Sequence, residues 1–291
     1  MSPYVADPVY LNGQFLPLAE ARISPLDRGF LYGDGVYEVI PVYSRRAFRI
    51  DEHLNRLAAT LAGVKLTNPL DHAGWKAVIE QLIARAPWDD QSICLQVTRG
   101  ADNKRDHAFP PASVPPTSFA FSSPMLVPSA EIRAQGVAAI TVPDQRWARC
   151  DLKVISLLAN VLARQQAVEN GCTEALLIRD GYMKEGAASN IFVVKNGVLL
   201  APPKTTLMLP GITYDVVLEL AECYGVPREI REIHETELRS ADEVWMTSST
   251  KEILAITTLD GQAVGNGKPG PLGEQMWQWY QDFKNTVMRK G

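Results

Sequence analysis

The sequence predicts an α/β (α+β) chain in two domains, and three observations carry that reading. The length, 291 residues, exceeds what one core of ordinary size serves. Strand-like runs closed by Asn-Gly and Asp-Gly turns interleave with runs of helical periodicity. Six prolines (Pro110, Pro111, Pro115, Pro116, Pro124 and Pro128) surround a single short strand pattern, as at a domain boundary. The expected division is 1–122, a linker at 123–129, and 130–291.

Composition narrows the class. The chain is 46% hydrophobic and 21% charged, which supports a sizeable core and excludes a disordered chain. A net charge of -4 offers no basis for nucleic acid or an anionic membrane as partner. No apolar run approaches the roughly 18 residues of a membrane span. The first ten residues carry Asp7 and two prolines and lack the basic and apolar regions of a secretory leader. Cys94, Cys150, Cys172 and Cys223 are scattered without Cys-x-x-Cys spacing. Neither a metal site nor a disulfide framework is expected, and a reducing, cytoplasmic compartment is the default.

Val9–Phe15 reads as a hairpin about Asn12-Gly13. Gly29, Gly33 and Gly35 mark a tight, close-approach loop feeding a strand over Val36–Ile40. A P-loop is excluded, because its phosphate cradle needs a helix to follow. Val42–Ile50 reads as a second strand across a basic turn at Arg45-Arg46. Asp51 and Glu52 then open a helix with Leu54, Leu57, Ala58 and Leu61 on one face. Arg56 lies at its edge. A helix over Trp75–Ala84 precedes a buried strand over Ser92–Gly100. In the polar loop 101–110, Arg105 and His107 are two apart. In extended backbone they face one way, as a clamp for a carboxylate requires. Ser118–Phe121 is the last strand before the boundary.

The second half opens with a strand over Val137–Val142. Arg146–Lys153 then leads into the apolar run Val154–Leu162, so Lys153 is expected where a polar loop enters a helix over Ser156–Val168. A lysine between apolar neighbours either snorkels its ammonium to water or gives up its proton and becomes a nucleophile. Glu174–Arg179 is a strand, and Asn190–Lys195 pairs with Val198–Ala201 about Asn196-Gly197. Between them lies a polar, small-residue stretch, Lys184–Asn190, which contains Glu185. Pro210-Gly211 opens a helix to about Gly225, whose first-turn amides can bind an anion. A strand from Val244 ends in four hydroxyls, Thr247–Thr250. Leu272–Met288 is an aromatic-rich amphipathic helix.

Singly, each feature has an ordinary explanation. Together, a lysine, a carboxylate, two phosphate cradles and a cationic loop are the parts of a pyridoxal 5'-phosphate site. The chain resembles the class IV, or fold-type IV, aminotransferases and within them the D-amino acid transaminase branch. The matching residues run from Asp27-Arg28-Gly29 and Gly33–Glu38 through His53–Leu57, Val97–Gly100 and Arg105-x-His107-x-Phe109-Pro110. They continue with Arg146-Trp147-x-Arg149-Cys150-Asp151-x-Lys153, Glu185-Gly186, Ser189-Asn190, Pro210–Thr213 and Thr247–Thr250.

The resemblance implies a small N-terminal α/β domain and a larger pyridoxal-phosphate-binding domain of pseudo-barrel form. It implies that Lys153 carries the cofactor as a Schiff base and shuttles the substrate proton. Glu185 would pair with the pyridinium nitrogen. Arg56, the amides of Ile212 and Thr213, and Ser248 and Ser249 would hold the phosphate, with Leu209 against the ring. Tyr37, Arg105 and His107 would take the substrate carboxylate, the last two from the partner subunit of a homodimer. The implied reaction is ping-pong transfer from D-alanine to 2-oxoglutarate, giving pyruvate and D-glutamate. The sequence departs from the family pattern at Ala188, where serine is common, at Tyr214, where arginine is frequent, and in a longer Val97–Arg105 loop. The alternatives are an L-branched-chain aminotransferase or an aminodeoxychorismate lyase of the same fold, and a cofactor-free binding protein that has kept it.

Overall fold

A computed structural model describes residues 4–290. Residues 1–3, which begin the stretch read as lacking a leader, lie outside the described residues. The chain forms two compact units. The first contains the chain through Met125, the segment Leu152–Leu157 and the residues from Val287 on; the second contains Leu126–Asp151 and Leu158–Thr286. The segment bearing Lys153 therefore belongs to the first unit, although it follows the proline-rich stretch by more than twenty residues in sequence.

The first unit contains β1 (Val9–Leu11), β2 (Gln14–Leu16), α1 (Arg28–Tyr32), β3 (Gly35–Tyr43) and β4 (Arg46–Ala47). It continues with α2 (Ile50–Gly63), α3 (His72–Arg85), β5 (Gln91–Thr98) and β6 (Thr117–Pro124). The strands form one antiparallel sheet in the order β2-β1-β6-β5-β3-β4. β3 alternates as a half-buried strand does: Val36, Glu38 and Ile40 are buried, while Tyr37 and Val39 are partly exposed. Leu54, Leu57 and Leu61 of α2 and Trp75, Ile79 and Leu82 of α3 complete this core. Asp71 caps α3 by accepting the Gly74 N–H at 2.8 Å.

Two expectations change here. Residues 28–32 form a short helix, not an open loop. Asp27 caps it through the Gly29 N–H at 2.8 Å, and Gly33 closes it with φ of 66°. In Val42–Ile50 the expected turn falls one residue earlier than Arg45-Arg46, and the strand after it is short. Ser44 and Arg45 take positive φ in a turn, β4 lasts two residues, and Arg49 at φ 50° hands over to α2.

Lys153 is not at a helix entrance. It lies on an extended segment paired with β3. The Tyr37 N–H donates to the Lys153 carbonyl at 3.0 Å, the Ile155 N–H donates to Gly35 O at 3.0 Å, and Val154 stands opposite Val36. Leu152 and Val154 are buried in the first core. That pairing commits the backbone, and the helix begins only at Leu158. Gly35 makes the approach possible. A Cβ there would lie 2.6 Å from Val97 O and 2.9 Å from Ile155 Cδ1.

The second unit contains α4 (Ala130–Gln135), β7 (Val137–Pro143), α5 (Leu158–Glu169), β8 (Glu174–Arg179), β9 (Tyr182–Gly186), β10 (Asn190–Lys195) and β11 (Val198–Ala201). After α6 (Ile212–Cys223) come β12 (Arg228–Ile230), β13 (Ile233–His234) and α7 (Glu235–Arg239). β14 (Glu243–Ser248), β15 (Glu252–Leu259), β16 (Gln262–Ala263) and α8 (Pro271–Phe283) complete it. A mixed sheet runs β12-β11-β10-β14-β15-β7-β8-β9-β13, with β16 paired to β15. Lys184, Glu185 and Gly186 are part of β9 and not of a loose connection. α5 turns Ala163 and Ala167 toward the sheet, against Val142, Ala175 and Leu177. Its larger side chains Leu158, Val161, Leu162 and Val168 are exposed. Among the described residues no helix is long and apolar enough to cross a membrane.

Gly35→Ala is expected to push the Lys153 segment off β3 and to cost roughly 1–3 kcal/mol of stability. Denaturant unfolding of the variant beside wild type measures it, and an unchanged midpoint would contradict the close-approach role.

Candidate active site

Within the first unit, the Lys153 Nζ lies over the Tyr37 ring, 4.1 Å from its centroid. The ammonium is thus held against an aromatic face by the same strand that binds its backbone. Beside Tyr37, Glu38 points inward and is fully buried. Its carboxylate accepts from Arg56 Nε at 2.9 Å and Arg56 Nη2 at 2.5 Å, and lies 3.0 Å from His53 Nδ1. Burial alone would raise the Glu38 pKa, but Arg56 and His53 opposite it hold the carboxyl well below its usual range. Burial lowers the His53 pKa against the pull of Glu38. The ionised Glu38 carboxylate can only accept, so His53 Nδ1 carries the hydrogen of that contact. The Arg56 guanidinium is oriented from outside its own helix, by a carboxylate on a strand 18 positions earlier in the chain.

Arg105 and His107 are exposed in the loop 101–110. Arg105 Cζ lies 5.3 Å from the Tyr32 ring centroid, and the His107 ring lies 5.4 Å from it. The two side chains predicted to act together are thus gathered on one aromatic ring of the same chain.

Within the second unit, Glu185 is buried in β9. It accepts from Arg146 Nη1, from Asn190 Nδ2 at 3.3 Å and from the Leu209 N–H at 3.2 Å. Burial pushes its carboxyl up to about 7, against the opposing pull of Arg146 and the Leu209 amide. Arg146 is itself held by Asp144 at 2.9 Å and 3.0 Å. Gly211 precedes α6 without a side-chain cap, leaving the first-turn amides at Ile212 and Thr213 directed at the helix end. A Cβ on Gly211 would lie 2.0 Å from Asn190 Oδ1, so the helix start and the Glu185 cluster share Asn190. Ser248 and Ser249 are half-buried at the end of β14, and Ser248 Oγ accepts the Lys251 N–H at 3.1 Å.

Glu38, His53, Asp144, Arg146 and Asn190 carry no role that the sequence alone assigns. A signal existed for Glu38. In a strand whose inward positions are Val36 and Ile40, the residue between them on that face is buried, and a buried carboxylate needs cationic partners. The departure at Tyr214 lies in the core: its hydroxyl donates to Pro202 O at 2.7 Å and its ring stacks on Phe192 at 5.0 Å. Ala188 is exposed.

Residues 35–259 match the class IV amino-transferase family. The chain belongs to that family and is a pyridoxal-phosphate-dependent transaminase. Among its relatives, D-alanine aminotransferase of Bacillus licheniformis is 41% identical over 91% of this chain and 92% of its own. D-alanine aminotransferase of Listeria monocytogenes (strain 10403S) is 37% identical over 94% of each. Among solved structures, a T.th. branched-chain amino acid aminotransferase with pyridoxamine 5'-phosphate superposes with a TM-score of 0.89 at 26% identity, covering 98% of this chain and 95% of that one. The Escherichia coli branched-chain enzyme gives 0.87 at 26% identity, covering 95% and 94%.

The donor set fits the cofactor. The first unit offers a lysine amine on an extended segment, and the second a buried carboxyl raised to about 7, the two group types that pyridoxal phosphate chemistry draws on. The uncapped start of α6, kept open by a glycine, suits the phosphate.

The unfolded Glu38 carboxyl titrates near its ordinary value of about 4.3 and the folded one well below it. Its stabilising contribution is therefore full above about pH 4.5 and is lost as pH falls toward the folded value. Glu38→Gln is expected to lose roughly 3 kcal/mol at pH 6, since Arg56 keeps a buried charge without its counterion. Between pH 6 and pH 3 the wild-type urea midpoint should fall more steeply than that of the variant. Parallel pH profiles would refute the depressed carboxyl.

Proposed function

We propose that this transaminase acts on D-amino acids, moving the amino group of D-alanine to 2-oxoglutarate and giving pyruvate and D-glutamate in a ping-pong cycle. The observation that carries the D preference is the Arg105-x-His107 pair, gathered on Tyr32 in an exposed loop. The identity with D-alanine aminotransferases supports it.

Bound pyridoxal phosphate supplies an aldehyde carbon that takes up amino nitrogen and a ring that withdraws electrons from the substrate α-carbon. Lys153 would hold the cofactor through Nζ and would serve as the base that takes and returns the substrate α-proton. Tyr37 offers its ring face to that amine when it is free of the cofactor. Glu185 holds a proton at the ring nitrogen, and Arg146 and Asn190 orient its carboxyl. Arg56, fixed by Glu38, would bind the phosphate with the Ile212 and Thr213 amides and the Ser248 and Ser249 hydroxyls, and Leu209 would pack on the ring. Arg105 and His107 bind the substrate carboxylate with Tyr37. A guanidinium fork sets the carboxylate's orientation, and hence which hand of substrate presents its α-hydrogen to Lys153.

A homodimer is part of this reading, with Arg105 and His107 serving the site of the partner subunit. The exposed apolar face of α5 supports it, because a monomer gains nothing by leaving Leu158, Val161, Leu162 and Val168 in water. A cytoplasmic enzyme agrees with its four unbridged cysteines. The second reading, an L-branched-chain aminotransferase, draws on the solved structures it superposes with.

Purified protein offered D- and L-amino acids with pyruvate or 2-oxoglutarate should transaminate the D series. Pyruvate should accumulate from D-alanine beyond one equivalent per site only when an amino acceptor is present. Turnover of L-leucine with none of D-alanine would replace this reading by the branched-chain one. Arg105→Leu is expected to lower kcat/KM for D-alanine roughly 30–100-fold; near-wild-type activity would remove the case for the D branch. Lys153→Ala should abolish the yellow absorbance of the bound cofactor. Light scattering should return twice the chain mass, and a monomer at working concentration would exclude the shared site.

A further inference from the structure

Resting on that reading, we infer that Arg28 and Tyr32 are positioning residues for substrate-carboxylate binding, holding the Arg105–His107 loop in its working conformation. Neither touches substrate or cofactor in the proposed mechanism. Both act on the loop.

Arg105 and His107 are exposed, and an exposed cation on a polar loop ordinarily spends its time in many rotamers. Each rotamer it must give up on binding weakens the carboxylate site. The loop here is anchored from beneath. Arg28 is a buried arginine, its side chain only 7% exposed. Its Nη1 donates to Asp106 O at 2.6 Å and Ala108 O at 3.0 Å, and its Nη2 donates to His107 O at 3.2 Å. Three consecutive carbonyls are thus gathered on one fork, and they are the carbonyls of His107 and its two neighbours. Lysine, with one compact ammonium, cannot span them. Asp34 fixes the fork in turn by accepting Arg28 Nε at 2.8 Å. Asp34 also accepts Arg99 Nε at 2.8 Å, and the Arg99 guanidinium stacks on Phe109 at 3.8 Å. The far end of the loop is therefore tied to the same carboxylate.

Tyr32 lies four residues after Arg28, on the same face of α1. Its ring carries Arg28 at 4.8 Å, Arg105 at 5.3 Å and the His107 ring at 5.4 Å. Its hydroxyl is buried and has no partner among the described residues, so the ring face is what the site uses. The main-chain fork sets the path of the loop, and the aromatic face sets the two side-chain directions. Removing Arg28 leaves Asp34 paired with Arg99, so the carboxylate is not stranded and the fold has reason to survive.

The test measures D-alanine kinetics on the holoenzyme for wild type, Arg105→Leu, Arg28→Lys, Tyr32→Ala and Tyr32→Phe. Pyridoxal phosphate affinity is measured in parallel by absorbance titration. Arg28→Lys and Tyr32→Ala should raise KM on the order of tenfold, while kcat and cofactor affinity stay within about threefold of wild type. Tyr32→Phe, which keeps the ring, should recover the wild-type KM. A merely structural role would instead lower cofactor affinity and kcat together. That pattern, or an unchanged KM in Arg28→Lys and Tyr32→Ala while Arg105→Leu raises it, overturns the inference and leaves the D-amino acid reading standing. If Arg28→Lys does not fold, the contrast between Tyr32→Ala and Tyr32→Phe decides. A wild-type enzyme inactive on D-alanine overturns the underlying reading and this inference with it.

Discussion

Two main-chain hydrogen bonds, Tyr37 N–H to Lys153 O and Ile155 N–H to Gly35 O, are what the arrangement around β3 depends on. They convert a polar connection between distant sequence positions into an extra edge on β3. Lys153 is then fixed by the backbone, not by its own flexible stem, and its amine lands on the ring of Tyr37. Gly35 permits this, since any side chain there would meet Val97 O and Ile155. β3 consequently does three things in four residues. It admits the lysine segment at Gly35, offers the aromatic face at Tyr37, and turns the carboxylate of Glu38 into the core.

Burying that carboxylate is costly, and the cost is offset only because its acceptor positions are used. Arg56 donates twice to Glu38 and His53 donates once. A network of this kind is worth more for geometry than for net stability, because an apolar core of the same volume would be at least as stable. What it supplies is a guanidinium held in one orientation. The same device recurs around Arg28, Asp34 and Arg99, and, in the second unit, around Glu185, Arg146 and Asp144. In all three, a charged side chain is held in one orientation by a partner of opposite charge.

Much of the fold was legible because local rules were obeyed. Asn12-Gly13 and Asn196-Gly197 take positive φ in two-residue turns, as their residue types demand. Leu54, Leu57 and Leu61 fall on one buried face. Where the reading failed, a tertiary contact overrode the local pattern. The run Val154–Leu162 has helical spacing, yet its first residues are drawn out flat by pairing with β3. Leu158, Val161 and Leu162 have the spacing of a core face but are exposed, because Ala163 and Ala167 allow the closer approach to the sheet. The basic pair Arg45-Arg46 marks a turn, but residue type does not show that Ser44 and Arg45 are the two that take positive φ.

The sequence by itself determined the chemical inventory: a lysine between apolar neighbours, a glutamate among small residues, an arginine at a helix edge, and an arginine and histidine two apart in a loop. It also determined the family, because those residues keep their order and spacing. Only the tertiary structure decided how each is held. Lys153 belongs with β3, Arg56 answers to Glu38, Glu185 to Arg146, and the Arg105–His107 loop to Arg28 and Tyr32. Spacing along a chain reports which face a residue shares with its near neighbours, whereas burial and charge pairing between residues 18, 39 or 78 positions apart exist only once the chain has closed on itself.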